Sequence, residues 1–226
     1  ISDIDGEADP HIERLVERAG PVFDAIFKHV DDPPATPVAG DPQRVIKWLK
    51  HHVREPSYTY FAYEDASVQD IKAAASAAGF TGDTSQAPLL TYMSIKSRVQ
   101  GFALKLAGRS IRDDAYEAND SVGTLHFSHW VLFPKNHLGF FTIYDGDWDK
   151  YLQDFVEKTS FAFDTIFPHV DGAPPTPVAK NAQAFYQWAL ENNYPPIGFY
   201  SAYPGLSVQD IRALLADRKA KSATAG

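Results

Sequence analysis

Apolar positions change period along the chain, and the changes mark out elements. Leu89 to Ile95 is a short apolar run of strand formers, and Val99, Phe102, Ala103 and Leu106 then recur at helical spacing. Leu125 to Phe133 and Leu138 to Tyr144 read as two strands. Pro134-Lys135-Asn136-His137 between them reads as a hairpin connection. A long amphipathic helix follows, with Trp148, Leu152, Phe155, Val156, Phe163, Ile166 and Phe167 as its apolar stripe. Asp147 or Asp145 caps it by accepting its first free amide hydrogens, and Pro174-Pro175-Thr176-Pro177 forbids its continuation. A further helix is predicted from Ala182 to Glu191 with Asn181 as its N-cap, then a strand over Phe199 to Tyr203. Ser207-Val208-Gln209-Asp210 is a capping box that opens the last helix. Lys219 to Gly226 reads as a frayed tail.

A shift of 140 residues lays the chain over itself without a gap. Phe23-Asp24-Ala25-Ile26-Phe27-Lys28-His29-Val30-Asp31 falls on Phe163-Asp164-Thr165-Ile166-Phe167-Pro168-His169-Val170-Asp171, and Ser67-Val68-Gln69-Asp70-Ile71 falls on Ser207-Val208-Gln209-Asp210-Ile211. From Phe23 to Ala73 there are 24 identities in 51 positions, against about 3 expected from average composition. The chain is an internal duplication. Residues 1–86 repeat residues 141–226, with Ile1 over Phe141, whereas 87–140 have no counterpart.

The order from residue 87 onward is strand, helix, strand, strand, helix, extra helix, strand, helix. Without the extra helix this is βαββαβ, the ferredoxin-like arrangement, in which helices cover one face of an antiparallel sheet. The expected fold is therefore α+β: tandem ferredoxin-like units forming an α+β barrel, with two sheets packed face to face. The expected domains are 1–86, an incomplete first repeat truncated at its N-terminus, and 87–226, a complete second one. The first keeps a helix opened by Asp41-Pro42, a strand from Tyr58 to Tyr63 and its last helix. Lacking a hairpin, it leaves sheet edge and apolar surface uncovered. A homo-oligomer, or a segment ahead of Ile1, is expected to complete it.

Composition narrows the functional classes. With 21 Lys+Arg against 29 Asp+Glu, the formal charge of −8 argues against nucleic acid as a partner. No cysteine is present, so thiolate metal sites, disulfides and a cysteine nucleophile are excluded. No apolar run approaches the ~18 residues of a membrane span, and Ile1 to Asp9 is acidic, unlike a signal peptide. A cytoplasmic protein binding a small molecule is the expectation. P-loop, Gly-x-Gly-x-x-Gly, Gly-x-Ser-x-Gly and His-Glu-x-x-His patterns are absent.

Leu125-His126-Phe127-Ser128-His129-Trp130-Val131, then Tyr144-Asp145-Gly146-Asp147-Trp148-Asp149-Lys150-Tyr151-Leu152, then Phe199-Tyr200-Ser201-Ala202-Tyr203-Pro204 resemble a group of bacterial proteins of unassigned role. That group carries His-Phe-Ala-Arg-Trp and Asp-Gly-Ser-Trp-x-x-Tyr-Leu patterns on ferredoxin-like units. It sits near the dimeric α+β barrel superfamily of dye-decolourising peroxidases and chlorite dismutases. The resemblance implies an oxidoreductase-like enzyme, peroxidase-like and haem-dependent, acting on a small apolar or aromatic molecule. A non-catalytic ligand-binding or assembly module is the alternative. Two departures stand out: Gly139 is six residues before Asp145 rather than the three of a Gly-x-x-Asp-Gly motif, and His129 replaces the family arginine.

Alternation along the strand Leu125 to Phe133 puts Leu125, Phe127, His129, Val131 and Phe133 on one face, read as the helix side. His126, Ser128, Trp130 and Leu132 fall on the other, read as the pocket side. His126 and Asp145 are the candidate catalytic pair, and Ser128, Trp130, Tyr144 and Tyr200 the candidate ligand contacts. His169, matched by His29 across the repeat, is the candidate haem-iron ligand. Each has a structural alternative. A buried histidine simply finds partners, an aromatic on a strand is core, and a histidine at a helix end satisfies the last carbonyls. Asp145, Asp147 and Asp149 fail the EF-hand pattern, since Lys150 and Val156 occupy its glycine and glutamate places.

Overall fold

A computed structural model describes residues 4–224. The acidic start and the tail therefore run partly outside the described residues, and Ile1 with them. Residues 1–55 and 56–226 form two compact units. Residues 56–86, the last part of the first repeat, fold with the second.

The first unit is helical. Helix α1 (Ala8–Phe27) is kinked at Ala19, just ahead of Pro21, whose missing amide hydrogen breaks the ladder there. Helix α2 (Pro42–His52) starts on Asp41, whose carboxylate accepts the Arg44 N–H. Val16, Phe27, Val38 and Val45 form the small core between them, with the Trp48 ring edge-on to Phe27. Asp24 accepts the Val38 N–H at 2.9 Å, and its repeat-mate Asp164 accepts the Val178 N–H in the same way. Thr36-Pro37 and Thr176-Pro177 are both cis.

The second unit is α+β. It runs β1 (Tyr58–Phe61), α3 (Val68–Ala78), β2 (Gln86–Ser94), α4 (Arg98–Ser110), α5 (Arg112–Val122), β3 (Leu125–Phe133), β4 (His137–Asp145), α6 (Trp148–Ile166), α7 (Ala182–Glu191) and α8 (Val208–Thr224). The strands make one antiparallel sheet in the order β1-β3-β4-β2. Lys135 and Asn136, both with left-handed backbone, close the β3–β4 hairpin. Asp147, not Asp145, caps α6. Asn181 makes no side-chain cap; its amide donates to the Pro177 carbonyl instead. The last helix continues to Thr224 where a frayed tail was expected.

The core lies between one face of the sheet and α6. Tyr144 stacks on Tyr151 with centroids 4.0 Å apart, and Trp130 stacks on Phe140 and meets Phe163 edge-on. Ser128, Trp130 and Leu132 thus belong to the helix-facing side, and Phe127, His129, Val131 and Phe133 to the opposite one. This exchanges the two faces expected from alternation. What decides the side is aromatic packing, Trp130 on Phe140 and Phe163, and not the apolar content of each face; a bulge at His126, where Leu125 pairs with Tyr144 and Phe127 with Ile143, moves Leu125 alone to the other parity.

The strand expected over Phe199 to Tyr203 does not form. Its stretch of chain is held by isolated bridges at both ends, Asn193 with Thr91 on the outer edge of β2 and Gly205 with Thr84 just ahead of that strand. Between those points Tyr200 is 81% exposed and Ile197 fully so. On α4 the expected apolar stripe forms a helix, but Val99, Phe102 and Leu106 face outward.

Elements duplicated by the repeat meet each other directly. Helix α3 packs on its mate α8. Ile71 and Ile211 share one apolar cluster, ringed by further mates: Ala66 with Leu206, Ala75 with Leu215, and Tyr63 with Tyr203. The Tyr63 and Tyr203 hydroxyls are 2.8 Å apart. Among the described residues no helix is long and apolar enough to cross a membrane.

Candidate functional site

At one end of the sheet β1 finishes, β3 starts, β4 finishes and β2 starts. The polar residues of the unit gather there because a sheet end leaves backbone groups without ladder partners. The β3 bulge carries His126 into this end. Its Nε2 lies 2.7 Å from Asp145 Oδ1, and its Nδ1 lies 2.8 Å from the Tyr63 hydroxyl. Asp145 Oδ2 accepts the Val208 N–H at 2.7 Å, the first amide of α8. His126 is wholly buried and Asp145 is 6% exposed. A carboxylate only accepts, so a neutral imidazole carries its proton on Nε2 toward Asp145. Nδ1 then accepts from Tyr63, and Tyr203 donates to the Tyr63 oxygen. The result is one directed chain, Tyr203 to Tyr63 to His126 to Asp145.

Tyr63 also belongs to the wall of a cleft of about 680 Å³ between the β1–α3 turn, α5 and α8. Ala62, Ala66 and Leu215 give the cleft an apolar floor, and Tyr116, Asp120 and Arg212 line one side. Arg212 donates to the Ala62 carbonyl, to the Tyr60 hydroxyl and to Asp120, so its guanidinium is held at three points. Tyr60 donates to Asp120 at 3.0 Å. Burial, and then the Asp120 charge, push the Tyr60 phenol upward. Burial, and then a hydrogen bond to Glu64, push Tyr116 up to about 12. Both phenols stay protonated donors over the physiological range.

The expected site residues part company. His126 and Asp145 are brought together, at hydrogen-bond distance. Ser128 is buried on the helix side, and its Oγ has no hydrogen-bond partner among the described residues. Trp130 and Tyr144 are core aromatics against α6 rather than members of the cleft wall. Burial raises the Tyr144 phenol, with the Asp147 charge adding to it. Tyr200 stands in solvent. His169 ends the short 3₁₀ turn after α6, with its Nδ1 against the Gln100 amide oxygen. Burial, and then Lys96, hold its pKa below the ordinary imidazole value. The cleft lining contains no histidine. A haem needs an apolar slot with an imidazole nitrogen aimed into it. The residues lining this cleft do not supply that nitrogen. Among the described residues no group of three or more histidines and acids could hold a metal ion.

Tyr63, Tyr203, Tyr116, Asp120 and Arg212 were not singled out as site residues by sequence. The 140-residue offset held a hint for two of them, because Tyr63 and Tyr203 are matched across the repeat and are the pair that meets. No protein-family model, curated protein or solved structure matches the chain.

Proposed function

We propose that the protein is an oxidoreductase-like enzyme acting on a small apolar or aromatic molecule, and that this molecule binds in the cleft between β1, α5 and α8. One observation carries the reading. Tyr63 belongs both to the cleft wall and to the hydrogen-bonded chain that ends on the buried His126–Asp145 pair. The cleft is concave, and its lining sets Phe61, Ala62, Ala66 and Leu215 beside charged side chains, among them Asp65, Asp120, Arg212 and Arg218; concave sites with convergent polar groups are where small ligands usually bind. A titratable relay opening onto it supplies the chemistry.

The unit is further proposed to be ferredoxin-like, one of a tandem pair that closes into a two-sheet α+β barrel, as the resemblance implies. The order β2-β4-β3 with a helical crossover supports this, as do the helices on one face and the chain bridged to the outer edge of β2 at Asn193, where a fourth strand belongs. The meeting of repeat-mates at Tyr63 and Tyr203 supports a paired arrangement.

A second reading, a non-catalytic binding module, has one observation in its favour. Both ring nitrogens of His126 and both oxygens of Asp145 already have partners, as in a polar clasp. One experiment separates the two. A panel of small phenols, indoles and quinones is screened by thermal shift, and the compounds that stabilise the chain are assayed for oxidation or reduction. Ala216→Trp on the exposed side of α8 fills the cleft, and it is expected to abolish the shift while leaving the unliganded Tm nearly unchanged. Shifts with turnover support the enzyme, and shifts without turnover support the module. If no compound shifts the wild type, or if the tryptophan variant shifts equally, the cleft is not the ligand site.

A further inference from the structure

We propose that Tyr63 is a redox-active tyrosine whose proton is taken by His126; this rests on the oxidoreductase reading and deepens it. A one-electron oxidant removes an electron from the Tyr63 ring while the phenolic proton moves along its hydrogen bond to His126 Nδ1. The products are a neutral tyrosyl radical, an imidazolium and the oxidant reduced by one electron. An electron-rich aromatic substrate in the cleft then returns the electron, the proton goes back from Nδ1 to the phenolic oxygen, and the substrate leaves oxidised by one electron. Over the cycle one electron passes from substrate to oxidant, and Tyr63 and His126 are restored.

Three features of the geometry carry this. The first is that oxidising a half-buried phenol without a base leaves a charged ring that its partly apolar surroundings penalise. Here the base is already in the hydrogen bond, 2.8 Å from the hydroxyl, so proton and electron leave together. The second is that the imidazolium so formed is not stranded. Asp145 lies 2.7 Å from its other nitrogen, and that carboxylate is fixed in turn by the Val208 amide. A buried cation so paired avoids most of the desolvation cost an isolated one carries. The third is that the Tyr63 hydroxyl is already bonded to both His126 and Tyr203. A substrate in the cleft does not need to touch this hydroxyl, because only an electron has to cross the ring. General acid–base work by Tyr63 on the ligand demands that contact. Other tyrosines of the unit have different partners: Tyr60 donates to an arginine-bound carboxylate, Tyr151 pairs with Thr142, and Tyr116 donates to the Phe61 carbonyl.

The test uses the full chain with hexachloroiridate(IV) as oxidant, freeze-quenched for electron paramagnetic resonance and followed by stopped flow. No cleft ligand is present, so the outcome is independent of the ligand screen. The expected result is a neutral tyrosyl signal at early times that Tyr63→Phe reduces about fivefold, exposed tyrosines supplying the remainder. Its formation is expected to slow about twofold in D2O, because the proton moves in the rate-limiting step. His126→Gln keeps a polar side chain without a base and is expected to slow formation about tenfold and to remove the D2O effect. A wild-type rate that is the same in D2O and H2O overturns the proposal without recourse to any variant. A wild-type signal in Tyr63→Phe overturns it as well.

Discussion

Tyr60 and Tyr200 are the same residue at matching places in the two repeats, and they end in opposite surroundings. Tyr60 is 1% exposed inside β1, under α5 and bonded to Asp120. Tyr200 is 81% exposed on a stretch that is not a strand. The neighbours explain the difference. Tyr58 and Phe61 in the first copy become Gly198 and Ser201 in the second, and Glu55 becomes Pro195 beside Pro196. Aromatic strand formers are lost and a second ladder donor is removed. The first copy joins the edge of β3, whereas the second is bridged to the edge of β2 near Asn193. Duplication thus hands on local signals faithfully, but a neighbouring edge alone does not make a strand once the aromatic strand formers and a ladder donor are gone. The capping boxes make the same point from the other side. Ser67–Asp70 and Ser207–Asp210 form identical reciprocal bonds because each needs nothing beyond four residues.

That contrast can be broken by substitution. The largest effect is expected at Tyr60→Ala, a loss of about 3–5 kcal/mol from an emptied core site. Tyr200→Ala is expected to stay within about 0.5 kcal/mol. Urea unfolding of the two variants measures both, and equal losses would mean that Tyr200 is buried in solution. Next comes His126→Ala, which leaves the Asp145 carboxylate buried without its imidazole, at about 3 kcal/mol. Gly205→Ala is expected to cost about 2–3 kcal/mol. Its φ is +88°, and an added Cβ would sit 2.3 Å from the Gly82 carbonyl oxygen, backbone against backbone. Ser67→Ala and Ser207→Ala are each expected to cost about 1 kcal/mol. The nearer the two losses, the better the claim that caps are inherited independently of their surroundings.

The smallest effect is a pH slope. Burial pushes the Tyr58 phenol up to about 12, and Tyr60 is raised as well. Between the ordinary phenol value near 10 and these raised values the unfolded chain holds fewer protons than the folded one. Stability is therefore full below about pH 10 and falls as pH rises through about 12. Tyr58→Phe is expected to flatten that fall in alkaline melts, and an unchanged slope would assign it elsewhere.

How much of this was legible in the sequence follows the same division. The β3–β4 hairpin, α6 with an aspartate at its start (Asp147 or Asp145), α7 and the last helix were readable, because turn residues, caps and apolar stripes act over one element. The pairing of His126 with Asp145 was half-readable. Both residues stood out, but the bulge that turns His126 toward Asp145 is invisible to strict alternation, and which face of β3 meets α6 depends on the packing of Trp130 against Phe140 and Phe163. Residues 56–86 belong with the second unit because β1 needs the edge of β3, a fact held by neither segment alone. Arg212 reads as an ordinary helix surface residue until α8 is placed beside α5 and β1.

The chain on either side of Tyr200 is fastened twice. Before it, the Tyr194 N–H donates to the Leu90 carbonyl and Asn193 bridges Thr91; after it, the Thr84 N–H donates to the Gly205 carbonyl. Beyond that second buckle, α8 is anchored by Val208 on Asp145, by Arg212 and by its packing on α3. A cut at Tyr200 by chymotrypsin should therefore be silent in solution. The two pieces are expected to elute together on gel filtration and to part only in denaturant, because the severed bond lies between two fastened ends.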